Sequence, residues 1–240
     1  MPTPAASFPH AADADPAGAG RDLRAVTVRA WSVGLSTSTY GVSFGALAVA
    51  AGLSVPQTMA LSLLLFSGGS QFAFVGLVGG GAAGAAVASS TLLGLRNGFY
   101  AIAVRRLVAM PGLRRLVGAQ LTIDESTAVA LAGTDDLSRA RGFWLTGGIV
   151  YLGWNTATLV GALLGDRLGD PARFGLDAVG PAAFLALLWP RLVDRTSRTV
   201  AVGAVLVALS LAPLVPAGLP VVATTLVAVV AGVLSSRRST

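Results

Sequence analysis

The chain has 240 residues, of which 54% are hydrophobic and 12% charged, and its mean hydropathy is +0.73. A soluble domain of this length carries far more charge, so the composition favours a membrane protein with several transmembrane helices. The net charge of +6 comes from 17 arginines without a lysine, spread over short loops, which argues against a nucleic-acid-binding surface. With no cysteine and a single histidine, His10, near the N-terminus, we expect no metal site, no cofactor and no histidine- or cysteine-based catalysis.

The first predicted element is a disordered tail over residues 1–24, rich in Pro, Ala, Gly and Asp. It has neither the basic start nor the apolar run of a signal peptide. Residues 25–236 are predicted to form one all-α transmembrane transporter domain, a polytopic helical bundle. The apolar segments of this domain lie at about 26–51, 56–79, 82–104, 116–132, 143–165, 174–190, 199–215 and 219–235.

The arginines constrain the topology of these segments. They cluster in several loops, but none lies near 52–56, 79–83 or 216–219. Eight simple crossings cannot place every cluster in the cytoplasm, as the positive-inside rule requires. The conflict disappears if segments 26–51 and 116–132 are broken or re-entrant, which predicts about six full crossings, a cytoplasmic N-terminus and a cavity lined by these two segments.

Glycine-rich stretches have two interpretations. Spacing such as Gly41/Gly45 is typical of helices that pack closely through small faces. The stretch SGGSQ, which contains Gly68, Gly69 and Gln71, interrupts the second apolar segment. An unwound point there would expose backbone groups that bind an amino group, a carboxylate or an ion. The alternative is close helix packing, with Gln71 forming one interhelical hydrogen bond.

Two opposite charges are predicted to meet inside the membrane. Arg96 lies nine residues before Arg105, and Asp124 lies nine residues after Arg115. If both segments are helical, both charges lie roughly 13 Å from the same membrane boundary. An unpaired charge at that depth costs about 2.5–3.5 kcal/mol on insertion scales. We therefore predict an ion pair between Arg96 and Asp124 or Glu125.

Arg96 has a second interpretation, which the sequence leaves open. Tyr100 follows it by four residues on the same helix face, and a guanidinium beside a hydroxyl can bind a carboxylate. In the fifth segment Asn155 lies deep in an apolar run and is a further candidate, while Tyr151 and Trp154 are typical of interfacial anchors.

Five stretches, in this order, resemble the AzlC family of branched-chain amino acid exporters over about residues 30–190. They are GVSFGALAVAAGLS, SLLLFSGGSQFAFVGL, LRNGFYAIAVRRL, IDESTAVAL, and GWNTATLVGALLG followed by FGLDAVGPAAFLALL. The third segment of the family typically contains Asn-x-Arg-His-x-x-Tyr. Arg96 and Tyr100 match that pattern, but Gly94 stands at the Asn position and Asn97 at the His position.

The resemblance implies a multi-pass transporter of the bacterial cytoplasmic membrane that exports branched-chain or similar apolar amino acids. It also implies a small AzlD-type membrane protein as partner. Where relatives use the histidine for protons or substrate, Asp124 or Glu125 would be the titratable groups here. Another cargo (a different amino acid, an organic anion or a drug), a carboxylate-based membrane enzyme and a non-transporting scaffold remain alternatives.

The predicted site lies near mid-membrane between the first four segments. Its substrate-binding or gating candidates are Gly68, Gly69, Gln71, Arg96, Asn97, Tyr100 and Asn155. Asp124 and Glu125 are the candidates for the ion pair or for proton coupling.

Overall fold

A computed structural model describes residues 16–168, 185, 188–189, 192–215 and 219–236, and this part of the chain is helical without a strand. The helices are α1 (Pro16–Ala50), α2 (Val55–Leu64), α3 (Gly68–Val78), α4 (Ala83–Leu107), α5 (Arg114–Gln120), α6 (Asp124–Leu131), α7 (Asp136–Leu168), α8 (Arg195–Leu211) and α9 (Leu219–Ser236). The all-α prediction is confirmed for the described residues. Residues 16–24, assigned to the tail from the sequence, are helical, and most of the predicted segment 174–190 lies outside the described residues.

Two helices of the described part are long and apolar enough to cross a membrane, over Asp22–Ala50 and Asp136–Arg167. α4 has 25 residues, the length of a crossing, but it carries Arg96 at its middle. The count of six crossings stays a prediction.

α1 is one continuous helix of 35 residues, so the prediction that segment 26–51 is broken or re-entrant is wrong. Its glycines serve close packing, as the Gly41/Gly45 spacing predicts. A Cβ at Gly41 would lie 2.6 Å from the carbonyl oxygen of Trp154, and one at Gly45 would overlap the carbonyl oxygen of Thr158. Because α7 lies this close, the stretch is stabilised by its neighbour and has no reason to unwind.

α1 and α7 make the most extensive helix contact of the described part and run in the same direction. Gly34 meets Ile149 towards one end of this contact, and Ala46 meets Gly165 towards the other, so residue numbers rise together along both helices. The pair forms the axis against which the shorter helices are arranged.

α2 and α3 form a hairpin, here named the first hairpin (residues 55–78). A Cβ at Gly79, just after α3, would lie 3.2 Å from the Cβ of Ala51, just before α2, so both ends of the hairpin lie at the C-terminal end of α1. The helix breaks at 65–67, which overlaps only the first residue of the predicted interruption SGGSQ. Segment 56–79, predicted as a full crossing, instead turns back on itself there.

α5 and α6 form the second hairpin (residues 114–131), which is broken at 121–123 as predicted for segment 116–132. Leu121, at its tip, packs against Gly147 of α7, and Val129 packs against Gly142. Residue numbers on α6 therefore rise as those on α7 fall, and the chain returns towards the N-terminal end of α7.

The two hairpins enter from opposite ends of the bundle. The second hairpin is fixed at the N-terminal end of α1, where the Thr134 hydroxyl donates a 2.6 Å hydrogen bond to the Asp22 carboxylate. α4 passes between the hairpins, with Gly94 next to Ser70 of α3. The two tips therefore meet about halfway along the bundle, beside the middle of α4.

Candidate functional site

The hairpin tips meet around one ion pair. Nη1 of Arg96, from the middle of α4, lies 3.1 Å from Oδ2 of Asp124, the first residue of α6. The two side chains are 27% and 20% exposed, so both charges are largely withdrawn from solvent. The predicted pairing of Arg96 with the Asp-Glu motif is thus present, and the N-terminal end of α6 adds a favourable dipole to the carboxylate.

Gly69 allows Arg96 to lie against the first hairpin. A Cβ at this position would come within 3.1 Å of Nη2 of the guanidinium. Gly68 has a corresponding role towards Trp154, whose ring would lie 3.1 Å from an added Cβ. The two glycines are therefore helical residues of the first turn of α3 rather than unwound backbone, and what they supply is space.

A cavity of about 290 Å³ lies beside the ion pair, at the junction of both tips with α1, α4 and α7. Its charged wall contains Arg96, Asp124 and Glu125, and Tyr40 and Thr37 line it from α1. Most of the remaining wall is apolar, from Phe66, Leu93, Ile123, Val150 and Trp154. A small cavity with apolar walls and a few convergent charges is typical of a binding site for a small ligand.

The two half-helices that begin at the cavity differ in charge. α3 has no acidic residue in its first turn, and its N-cap Ser67 makes no side-chain capping bond to the backbone. α6 carries Asp124 and Glu125 in its first turn. Because a helix N-terminus bears partial positive charge, the first tip together with Arg96 forms a positive wall. The second tip forms a negative one, so the cavity is electrostatically polarised.

Gln71 stabilises the first tip and does not line the cavity. It is fully buried, and its Nε2 donates to the carbonyl oxygens of Leu65, at 2.7 Å, and Ser62, at 3.3 Å. Its Oε1 accepts a 2.9 Å hydrogen bond from the indole N–H of Trp154. The amide thus satisfies carbonyls left free where α2 ends and joins the tip to α7.

Asn97, Tyr100 and Asn155 also lie outside the cavity lining. Asn155 donates from Nδ2 to the Tyr151 carbonyl at 2.7 Å, which is a bond within its own helix. Its Oδ1 and that of Asn97 are buried without a hydrogen-bond partner in the described part of the chain. Tyr100 lies one turn beyond Arg96 on α4.

The sequence indicated this helix only through Asn155, and the two residues of α7 that line the cavity, Val150 and Trp154, were not predicted. Trp154, for which the sequence left an interfacial position open, is 4% exposed and forms part of the cavity wall with Val150. The available signal was the glycine spacing at Gly41/Gly45, which indicates a close partner helix for α1 without identifying it.

A family model described as AzlC protein matches residues 32–168 of the chain. This range contains most of α1, both hairpins, α4 and α7, and so nearly the whole wall of the cavity. No curated protein and no solved structure matches the chain.

Proposed function

The chain belongs to the AzlC family, which is associated with the transport of branched-chain amino acids, and we propose that it exports such amino acids, or similar apolar ones, through the central cavity. The observation that carries this proposal is the Arg96–Asp124 ion pair at the meeting point of two half-helix hairpins. Broken helices whose ends meet at mid-membrane are a recurring way to build a transport site.

The polarity of the cavity supports a zwitterionic substrate. Its carboxylate would bind to the positive wall, formed by Arg96 and the backbone N–H groups of Gly68 and Gly69. Its ammonium group would bind to Glu125 and Asp124 on the opposite tip. A ligand that lacks either charge leaves one wall without its counterpart, which costs binding free energy.

The apolar wall supports a branched aliphatic side chain. Leu93, Ile123 and Val150 offer aliphatic surface, and Phe66 and Trp154 close the wall with aromatic rings. At about 290 Å³ the cavity lies at the lower end of ligand pockets, which span roughly 300–1,000 Å³, so it suits a single small amino acid.

Access from both membrane faces would come from the hairpins. They reach the cavity from opposite ends of the α1–α7 pair, so movement of either one opens a different side. With the N-terminus in the cytoplasm of a bacterium, the second hairpin would face the cytoplasm, since its base carries the arginines 105, 106, 114 and 115.

A small AzlD-type partner would complete the transporter. Leu95, Phe99 and Ile102 of α4 are 58%, 72% and 60% exposed, and they offer an apolar face to lipid or to such a partner.

Proton coupling would use Asp124 or Glu125. A carboxylate on a half-helix tip can take up a proton when the arginine paired with it binds the substrate instead.

The experiment is transport by the purified chain in proteoliposomes, with and without the co-expressed partner. The comparison uses three labelled compounds. Leucine carries both charges, leucine amide lacks the carboxylate, and 4-methylpentanoate lacks the ammonium group. We expect that only leucine of the three is transported and that Arg96→Gln abolishes this transport. The double variant Asp124→Asn/Glu125→Gln should still transport leucine, but its rate should no longer respond to a proton gradient. Equal transport of 4-methylpentanoate would establish an organic-anion carrier instead, and turnover in detergent without a sealed compartment would establish an enzyme.

A further inference from the structure

A second cavity lies at the base of the second hairpin, away from the ion pair. It has a volume of about 290 Å³ and lies between the end of α4, the following loop and α5. Small or apolar residues such as Ala101, Val104 and Ala119 form its wall, and the exposed Arg105 and Arg115 line its edge. The cavity therefore combines an apolar interior with two cationic groups at the surface.

The charge at this edge is all of one sign. Between residues 97 and 123 the sequence contains four arginines, at 105, 106, 114 and 115, and no acidic residue. Within the described residues neither Arg105 nor Arg115 forms a salt bridge. Nε of Arg115 donates to the Met110 carbonyl at 3.1 Å, which holds the guanidinium beside the loop that closes the cavity. Among the described residues that line the cavity, none is acidic.

The surroundings of the cavity are apolar and exposed. Ile102, Leu116 and Val117, which adjoin lining residues in the chain, are 60%, 70% and 51% exposed. In a membrane protein, side chains of this kind contact acyl chains. An occupant that satisfies both the arginines and the apolar wall must be an amphiphile with an anionic head.

We propose that this cavity binds one anionic phospholipid. Its phosphate lies between Arg105 and Arg115, and one acyl chain lies against Ala101 and Val104. Clusters of arginine next to a membrane-embedded helix attract anionic lipids through the same charge complementarity. Because Ala119 and Thr122 also line the cavity, the bound lipid contacts the hairpin whose tip carries the acidic wall of the central cavity.

The test is native mass spectrometry of the full chain in a neutral detergent, titrated with phosphatidylglycerol, with phosphatidylcholine or with inorganic phosphate alone. We expect saturable binding of one phosphatidylglycerol and no comparable binding of the other two. In Arg105→Gln/Arg115→Gln the affinity for phosphatidylglycerol falls roughly thirtyfold. The matched control Arg106→Gln/Arg114→Gln removes the same charge from neighbouring exposed positions outside the cavity lining, and its affinity falls less than threefold.

A second variant tests the apolar part without a change of charge. Ala119→Leu fills the cavity from α5, and we expect it to abolish the single tight binding event although all four arginines remain. Equal losses in the two arginine pairs would overturn the proposal in favour of a general surface attraction. Equal binding of phosphatidylcholine would overturn it because no headgroup is distinguished, and binding of phosphate alone would show a free-anion site. Unchanged binding in Ala119→Leu would overturn the proposal because it would show that the lipid does not bind in this cavity.

Discussion

A double-mutant cycle on Arg96 and Asp124 separates the stabilising effect of the central ion pair from its role in transport. The variants are Arg96→Gln, Asp124→Asn and the combination of both. Each single change removes one partner of a contact at 3.1 Å and leaves the other charge largely withdrawn from solvent. The combination leaves two neutral polar side chains in the same place, which is less costly than one charge without its partner.

The expected magnitude follows from exposure. Exposed ion pairs contribute about 0.2–1 kcal/mol, and breaking a fully buried pair costs about 3–5 kcal/mol. At 27% and 20% exposure this pair is intermediate, so we expect each single variant to lose about 2 kcal/mol and the double variant about 1 kcal/mol, which corresponds to a coupling energy of about 3 kcal/mol. The pair of Arg139 and Asp136, at 3.4 Å with Asp136 94% exposed, is the matched control, with about 0.3–0.5 kcal/mol expected.

The assay is denaturant unfolding of the four proteins in one detergent, alongside transport in proteoliposomes. We expect the double variant to regain much of the stability lost in the single variants but none of the transport. A coupling energy equal to that of the control pair would refute the stabilising role. Recovery of both stability and transport in the double variant would show that the charges only hold the helices together.

Three further substitutions test the packing around the site. Gln71→Leu leaves a carbonyl at the end of α2 and the facing indole N–H unpaired, so unfolding measurements should show a loss of about 2–4 kcal/mol. Gly69→Ala brings a methyl group against the central guanidinium and should reduce transport about tenfold with little change in stability, whereas Gly98→Ala, which meets open space on α4, should leave transport intact. Gly45→Ala overlaps a backbone carbonyl of α7 and should destabilise by about 1–3 kcal/mol or more, whereas Gly148→Ala should stabilise by up to about 1 kcal/mol. Thermal stability that is equal for the two members of the last pair would contradict the close contact of α1 with α7.

The ion pair could be predicted because the depth of each charge in its apolar segment can be read from the sequence. An arginine deep in an apolar segment needs an anion at its own depth, and the sequence offers only Asp124 and Glu125 at a matching distance from the arginine-rich loop. The break at 121–123 has a similar origin, since a short segment with two acids at its middle cannot form a simple crossing.

The role of each glycine could not be predicted, because glycine permits two opposite outcomes. The spacing of Gly41 and Gly45 predicts close packing, and α7 does pack against them, yet the same glycine-containing segment was also predicted to be broken and is one continuous helix. For Gly68 and Gly69 the sequence left unwound backbone and close helix packing open; they begin α3, and the break lies just before them. Which outcome occurs depends on the neighbouring helix, and that neighbour is more than 100 residues away in the chain for α1.

The arginines explain why one re-entrant segment could be predicted between residues 29 and 105 while the wrong segment was chosen. Three apolar segments lie between the arginines at 21–29 and those at 105–115. Keeping both clusters on one side requires an even number of crossings between them, so one of the three must return to its own side. A re-entrant segment 26–51 and a re-entrant segment 56–79 satisfy this condition equally. What decides between them is the buried amide of Gln71, which satisfies the carbonyls at the break, and the close fit of α1 against α7. Loop charges constrain only the parity of the crossings, and side-chain chemistry inside the segments determines which one turns back.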